Sequence, residues 1–160
     1  MADIVSKEVR SRNMAAIRGK DTKPELLIRK GLHRLGLRYQ LHDDKLPGKP
    51  DLVFPKYNAV IFVNGCFWHG HDCHLFKQPE TREEFWQIKI DRNRERDAEN
   101  KDALSKMGWR ILTVWECALK GRTRRALGDV AGAAKAWLVS EHGNKQIEGK
   151  KNQKGKAPKK

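Results

Sequence analysis

Two short apolar runs, Leu52-Val53-Phe54 and Ala59-Val60-Ile61-Phe62-Val63, constrain this chain more than any other feature. They are separated only by Pro55-Lys56-Tyr57-Asn58, a turn composition, so they read as a buried hairpin. With 34% of residues charged, runs like these mark where a core must form. A third run, Trp109 to Trp115, reads as another strand. Arg38 to His42 alternates like a strand, and Leu46-Pro47-Gly48-Lys49-Pro50 forces a turn immediately before Asp51.

Helical signals surround these strands. A weakly amphipathic helix is expected from about Ser6 to Arg18, closed by Gly19. Thr22, Pro24 and Glu25 have the spacing of a capping box with proline in the first turn. That helix should run to Leu35, turn Leu26, Leu27, Leu32 and Leu35 inward, and stop at Gly36. Thr81 and Glu84 repeat the box and open a long charged helix ending at Gly108. It carries Phe85, Trp86 and Ile88 near its start and Leu104 and Met107 near its end. A last helix covers Thr123 to Val139, with Trp137 and Leu138 inward. The order α-α-β-β-β-α-β-α specifies an α/β fold, a mixed sheet flanked by helices, in which the strand after the long helix returns parallel to an earlier one.

The length suits one domain, placed at residues 1–143, followed by a basic disordered tail at 144–160. Lys145 to Lys160 holds seven Lys and one Glu, or +6 of the total +14, leaving +8 on the body. Such a balance favours a polyanionic partner. No secretory h-region and no membrane span is visible, so a cytoplasmic, nucleoid-associated protein without membrane partner is expected.

Cys66-Phe67-Trp68-His69-Gly70-His71-Asp72-Cys73-His74 places five soft or borderline ligands within nine residues, and Cys117 follows the last strand. Isolated cysteines are more often simply buried, but here all three lie in one pattern that suits structural zinc. The long gap before Cys117 is acceptable if the strands ending near Asn64 and Trp115 finish at the same end of the sheet. Spacing leaves the histidine ligand open. Asp51, delivered by its turn to the mouth of a strand, can hold a hard cation, and His69 can exchange protons near neutral pH. A solvated aspartate is the simpler alternative for Asp51, and capping alone is a sufficient role for Glu25.

These residues resemble the very short patch repair (Vsr) DNA mismatch endonucleases, a branch of the restriction-endonuclease-like superfamily. The matching stretches are Met14 to Arg18 with Asp21, Thr22 and Glu25, then Leu46 to Asp51, and Val60 to Phe62 leading into Gly65 to His69. Phe85-Trp86, Lys89, Asn93, Arg96-Asp97, Gly108 to Arg110 and Val114 to Leu119 follow in order. The resemblance implies Mg²⁺-dependent hydrolysis that nicks one strand 5′ of the thymine in T:G mispairs arising from 5-methylcytosine deamination. It implies Asp51 and the Val63 carbonyl as magnesium ligands, His69 in proton transfer and Glu25 in support. It assigns zinc to Cys66, His71, Cys73 and Cys117. Phe67, Trp68 and Trp86 resemble the family's major-groove wedge and Met14 its minor-groove counterpart, although by composition such aromatics are usually core. Lys89 and Asn93, four apart on one helix face, could contact base edges. The implied partners are mismatched duplex DNA, a cytosine-5 DNA methyltransferase, mismatch-repair factors and a repair polymerase, with the protein itself a monomer. Position 64 departs from the family pattern, since an ionisable His or Asp is common there and Asn64 cannot titrate near neutrality. A zinc-stabilised DNA-binding module without catalysis, and a nuclease of the same fold with another target, are the competing readings.

Overall fold

The computed structural model describes residues 22–77 and 80–150. The expected helix at Ser6 to Arg18, and Met14 within it, lie outside the described residues. The elements are α1 (Lys23–Arg34), β1 (Gln40–Leu41), β2 (Leu52–Phe54), β3 (Ala59–Asn64), α2 (Glu83–Lys106), β4 (Arg110–Trp115), α3 (Leu127–Ser140) and β5 (Lys145–Ile147). Their strands form one sheet in the order β1-β2-β3-β4-β5. The hairpin pairs are antiparallel, whereas β3 with β4 and β4 with β5 are parallel, each joined through a helix. The expected mixed sheet and crossover are therefore present.

The apolar runs look continuous because both sheet faces are covered. Leu52, Phe54, Ala59, Ile61, Leu112 and Val114 face α1 and α3, and pack with Ile28, Leu32, Ala134 and Trp137. Val53, Val60 and Ile111 face the other way, toward Leu104 of α2. No described helix is long and apolar enough to cross a membrane.

Several local expectations are corrected. In α1 the buried stripe is Glu25, Ile28, Gly31 and Leu32, while Leu26 and Leu35 are 42% and 39% exposed. The stripe was obscured because it includes a carboxylate and a glycine, and Gly31 is needed for close approach: a Cβ there would lie 3.0 Å from that of Ala131 in α3. The Thr22 cap does form, its hydroxyl accepting from Glu25 N–H at 3.4 Å. The Thr81–Glu84 box does not, because the chain enters α2 through Arg82 in the left-handed region (φ 55°), its guanidinium 4.2 Å from the Phe85 ring centre. Met107 is exposed, and the buried residues of α2 are Ile90 and Leu104. Strand β1 is cut to two residues by His42 at φ 46°. The start of α3 shifts to Leu127 because Thr123 is engaged elsewhere, donating to the Cys117 carbonyl at 3.2 Å.

The largest correction concerns 144–150, expected in the tail. Lys145–Ile147 forms β5 as an edge strand, with Ile147 buried, so the folded unit extends at least to Lys150. Ladder hydrogen bonds from the main chain, invisible to composition, supply the ordering that side chains do not.

Arg110 clamps the rim opposite the sites described below. Its guanidinium donates to the carbonyls of Trp137, Leu138 and Glu141 at the end of α3 and to Tyr57 in the hairpin turn, all at 3.1–3.2 Å. It also lies 4.6 Å from the Trp137 ring centre. An ammonium group cannot reproduce that planar fork, so Arg110→Lys should lower stability by about 1.5–3 kcal/mol. Urea denaturation checks this, and an unchanged midpoint would contradict the clamp.

Candidate functional site

Antiparallel pairing sets the start of β2 beside the end of β3, and parallel pairing sets Asn64 opposite Trp115. Three loops therefore leave the sheet at one end, those carrying Asp51, Cys66 to His74, and Cys117. Gly48 takes φ +77° in the turn before Asp51, a conformation that needs glycine, and packs against Asn100 of α2.

Asp51 is held by the Val63 N–H, which donates to Oδ2 at 2.7 Å. Glu25 of α1 is only 1% exposed, and its Oε2 lies 2.6 Å from His42 Nε2 and 3.4 Å from Arg29. One ligand atom each of Glu25, His42 and Asp51 falls within 4.8 Å of the others. Burial, with the neighbouring Glu25 carboxylate adding to it, pushes the Asp51 carboxyl up to about 7 against the opposing Val63 hydrogen bond. A divalent cation would offset this crowding of carboxylates. Two oxygen donors and a nearby main-chain strand end fit a hard cation.

The four cysteine and histidine residues also come together. Ligand atoms of Cys66, His71, Cys73 and Cys117 lie within 4.8 Å of one another. His71 Nδ1 is 3.5 Å from Cys66 Sγ and 3.7 Å from Cys117 Sγ. A tetrahedral ion with metal–sulfur bonds of about 2.3 Å and a metal–nitrogen bond of about 2.0 Å separates such ligands by about 3.5 Å, so the donor set fits. The cysteines are unbridged. Burial, then the neighbouring thiols, drives the Cys66 and Cys117 thiols up, and a bound cation would favour their thiolates. Outside the ligands, Trp115 stacks on His71 at 4.1 Å, Glu148 Oε1 meets His71 Nε2 at 2.8 Å, and Gly149 N–H donates to Cys117 Sγ at 3.2 Å.

His69 is set apart from that cluster. Its Nδ1 is 2.5 Å from Asp97 Oδ2 on α2, which fixes the ring. Phe67 lies edge-on to Trp68 and Trp86, with ring centres 5.2 and 5.5 Å away, and Trp68 meets Trp86 at 5.8 Å. Phe76 and Phe85 extend the cluster at 5.8 and 5.2 Å, and Phe85 is exposed. Lys89 and Asn93 continue down α2, half-buried. Asn93 donates to the Trp68 carbonyl at 2.8 Å and so holds the aromatic loop itself.

Sequence reasoning missed His42, Asp97, Phe76, Glu148 and Gly149. His42 at the end of an alternating stretch gave a weak signal; Asp97 fell within the matching Arg96-Asp97 pair but carried no assigned role.

Raised by burial, the Asp51 carboxyl favours folding fully below its unfolded value near 4 and loses that contribution as pH rises through about 7. In a chelator, Asp51→Asn should therefore gain stability relative to the parent between about pH 4 and 7. Urea midpoints across that range test it, and a constant difference would show Asp51 is not buried as described.

The chain resembles known proteins over most of its length. Residues 2–75 match the family model described as DNA mismatch endonuclease Vsr. The DNA mismatch endonuclease Vsr of Escherichia coli (strain K12) is 45% identical over 148 residues, covering 92% of this chain and 95% of that protein. The type II nicking enzyme V.XorIIP of Xanthomonas oryzae pv. oryzae is 44% identical over 133 residues, covering 79% and 98% respectively. The type II nicking enzyme V.NmeAIP of Neisseria meningitidis serogroup A is 45% identical over 122 residues, covering 76% and 87%.

Proposed function

The chain belongs to the DNA mismatch endonuclease Vsr family and is a DNA endonuclease, and from that premise we propose that it nicks the thymine strand of T:G mispairs, 5′ of the thymine. The observation that carries this reading is the pairing of buried Glu25 with Asp51 at the end of the sheet, on the same rim as His69 and its adjoining aromatic loop.

Asp51 and the Val63 carbonyl would hold Mg²⁺, with Glu25 and His42 beside them; when bound, the ion polarises the phosphate and lowers the pKa of the attacking water. The Val63 N–H holds Asp51 in position for that role. Asp97 holds His69 Nδ1, so His69 Nε2 moves the proton at the phosphate. Asn64 is buried and cannot titrate, so it takes no acid–base part. Cys66, His71, Cys73 and Cys117 would hold Zn²⁺ as a structural staple between the loop and β4.

Phe67, Trp68 and Trp86 would wedge a weakened T:G step, Met14 would enter from the opposite groove, and Lys89 and Asn93 would read base edges once Trp68 moves. The body's positive charge favours duplex DNA, and 151–160 adds nonspecific phosphate attraction. The context proposed is that of a cytoplasmic monomer acting after a cytosine-5 DNA methyltransferase and before a repair polymerase.

The test is cleavage of an end-labelled duplex with one T:G pair beside a T:A control. Nicking of the T:G duplex alone, dependent on Mg²⁺, is expected. Equal cutting of both duplexes sinks mismatch specificity, and binding without cutting supports a non-catalytic module. In the same assay Asp51→Ala should lower the rate by at least about three powers of ten, roughly 4 kcal/mol of barrier. His69→Ala should lower it by about two to four powers of ten.

A further inference from the structure

We propose that the C-terminal strand is part of the cysteine–histidine metal centre: Glu148 is a positioning residue for His71, Gly149 hydrogen-bonds the Cys117 sulfur, and docking of β5 is coupled to metal binding. The inference rests on the reading of Cys66, His71, Cys73 and Cys117 as a zinc site.

The imidazole of His71 has two distinct jobs. Its Nδ1 faces the sulfurs of Cys66 and Cys117, so Nε2 carries the hydrogen and donates to Glu148 Oε1 at 2.8 Å. A carboxylate on the outer nitrogen fixes the tautomer and ring orientation and makes the inner nitrogen a better donor to a metal. Stacking on Trp115 sets the ring plane, and Trp115 is in turn tied to the same strand by its indole N–H, which donates to Gln146 Oε1 at 2.8 Å. Gly149 N–H reaches Cys117 Sγ at 3.2 Å, a bond that strengthens when the sulfur carries thiolate charge.

The backbone around these groups leaves little slack. Arg125 Nε donates to the Glu148 carbonyl at 2.6 Å, and Lys150 N–H donates to the Thr123 carbonyl at 2.8 Å. A Cβ at position 149 would lie 2.3 Å from Thr123 Oγ1 and 2.6 Å from the Cys117 carbonyl oxygen, so only glycine lets the main chain approach the sulfur. Strand β5 is short, sits at the sheet edge and buries one apolar side chain, Ile147. The metal-facing contacts therefore add to the ladder hydrogen bonds with β4 that order it. Coupling of this kind is reciprocal: metal tightens the strand, and the strand tightens the metal.

The full-length chain, zinc-loaded, provides the test. Zinc affinity measured by chelator competition should fall about 10- to 100-fold in Glu148→Ala. Gly149→Ala, which alters no ligand and no side-chain partner of His71, should fall similarly. In the parent protein, chelation should expose the bond after Lys145 to trypsin while the bond after Arg110 stays protected. Unchanged zinc affinity in both variants, or cleavage after Arg110 and Lys145 rising together on chelation, overturns the coupling. A parent chain that binds no zinc refutes the zinc reading itself, which separates the two failures.

Discussion

Parallel pairing of β3 with β4 places the ends of both strands at one rim, and each cluster described here depends on it. Asn64 opposite Trp115 brings the loop beginning at Gly65 against Cys117. The antiparallel hairpin then adds Asp51 to the same rim. The pairing requires a crossover, which α2 provides, and α2 returns Asp97, Asn93 and Trp86 to the loop it spans. A connection that exists to reverse chain direction thus also supplies the partners of His69 and Trp68.

Two forms of electrostatic crowding sit on this rim. Glu25, buried, and Asp51, partly buried, are two carboxylates side by side, and the buried thiols of Cys66 and Cys117 sit with the partly buried Cys73. Each is costly when ionised without a counter-charge, and each donor set matches a different cation: oxygen-rich for a hard ion, sulfur-rich for a soft one. The chemistry of the donors would therefore let the two clusters favour different cations.

Much of this was legible because it is local in sequence. The strands of the hairpin and β4 show through as apolar runs, Thr22 caps where its spacing says it should, and the density of Cys66, His71 and Cys73 marks a cluster before any fold is known. The missing parts are contacts between distant residues of ordinary type. His42, itself in the left-handed region, reaches Glu25 across 17 positions, and the role of Asp97 comes from what lies opposite it. Glu148 and Gly149 lie in a lysine-rich segment whose order comes from main-chain hydrogen bonds, which leave no trace in composition.

The loop from Cys66 to Cys73 assigns consecutive residues to different tasks. Cys66 faces the sulfur cluster, Phe67 and Trp68 join the aromatic cluster, His69 meets Asp97, and His71 returns to the sulfurs. Gly70 makes the reversal possible at φ +63°, pressed so close to α2 that a Cβ would sit 2.8 Å from Ile90. Inserting or deleting one residue would advance every later side chain to its neighbour's station. The loop can drift in composition at its solvent-facing positions, but its length is fixed, as a key's cuts are fixed by their order along the blade.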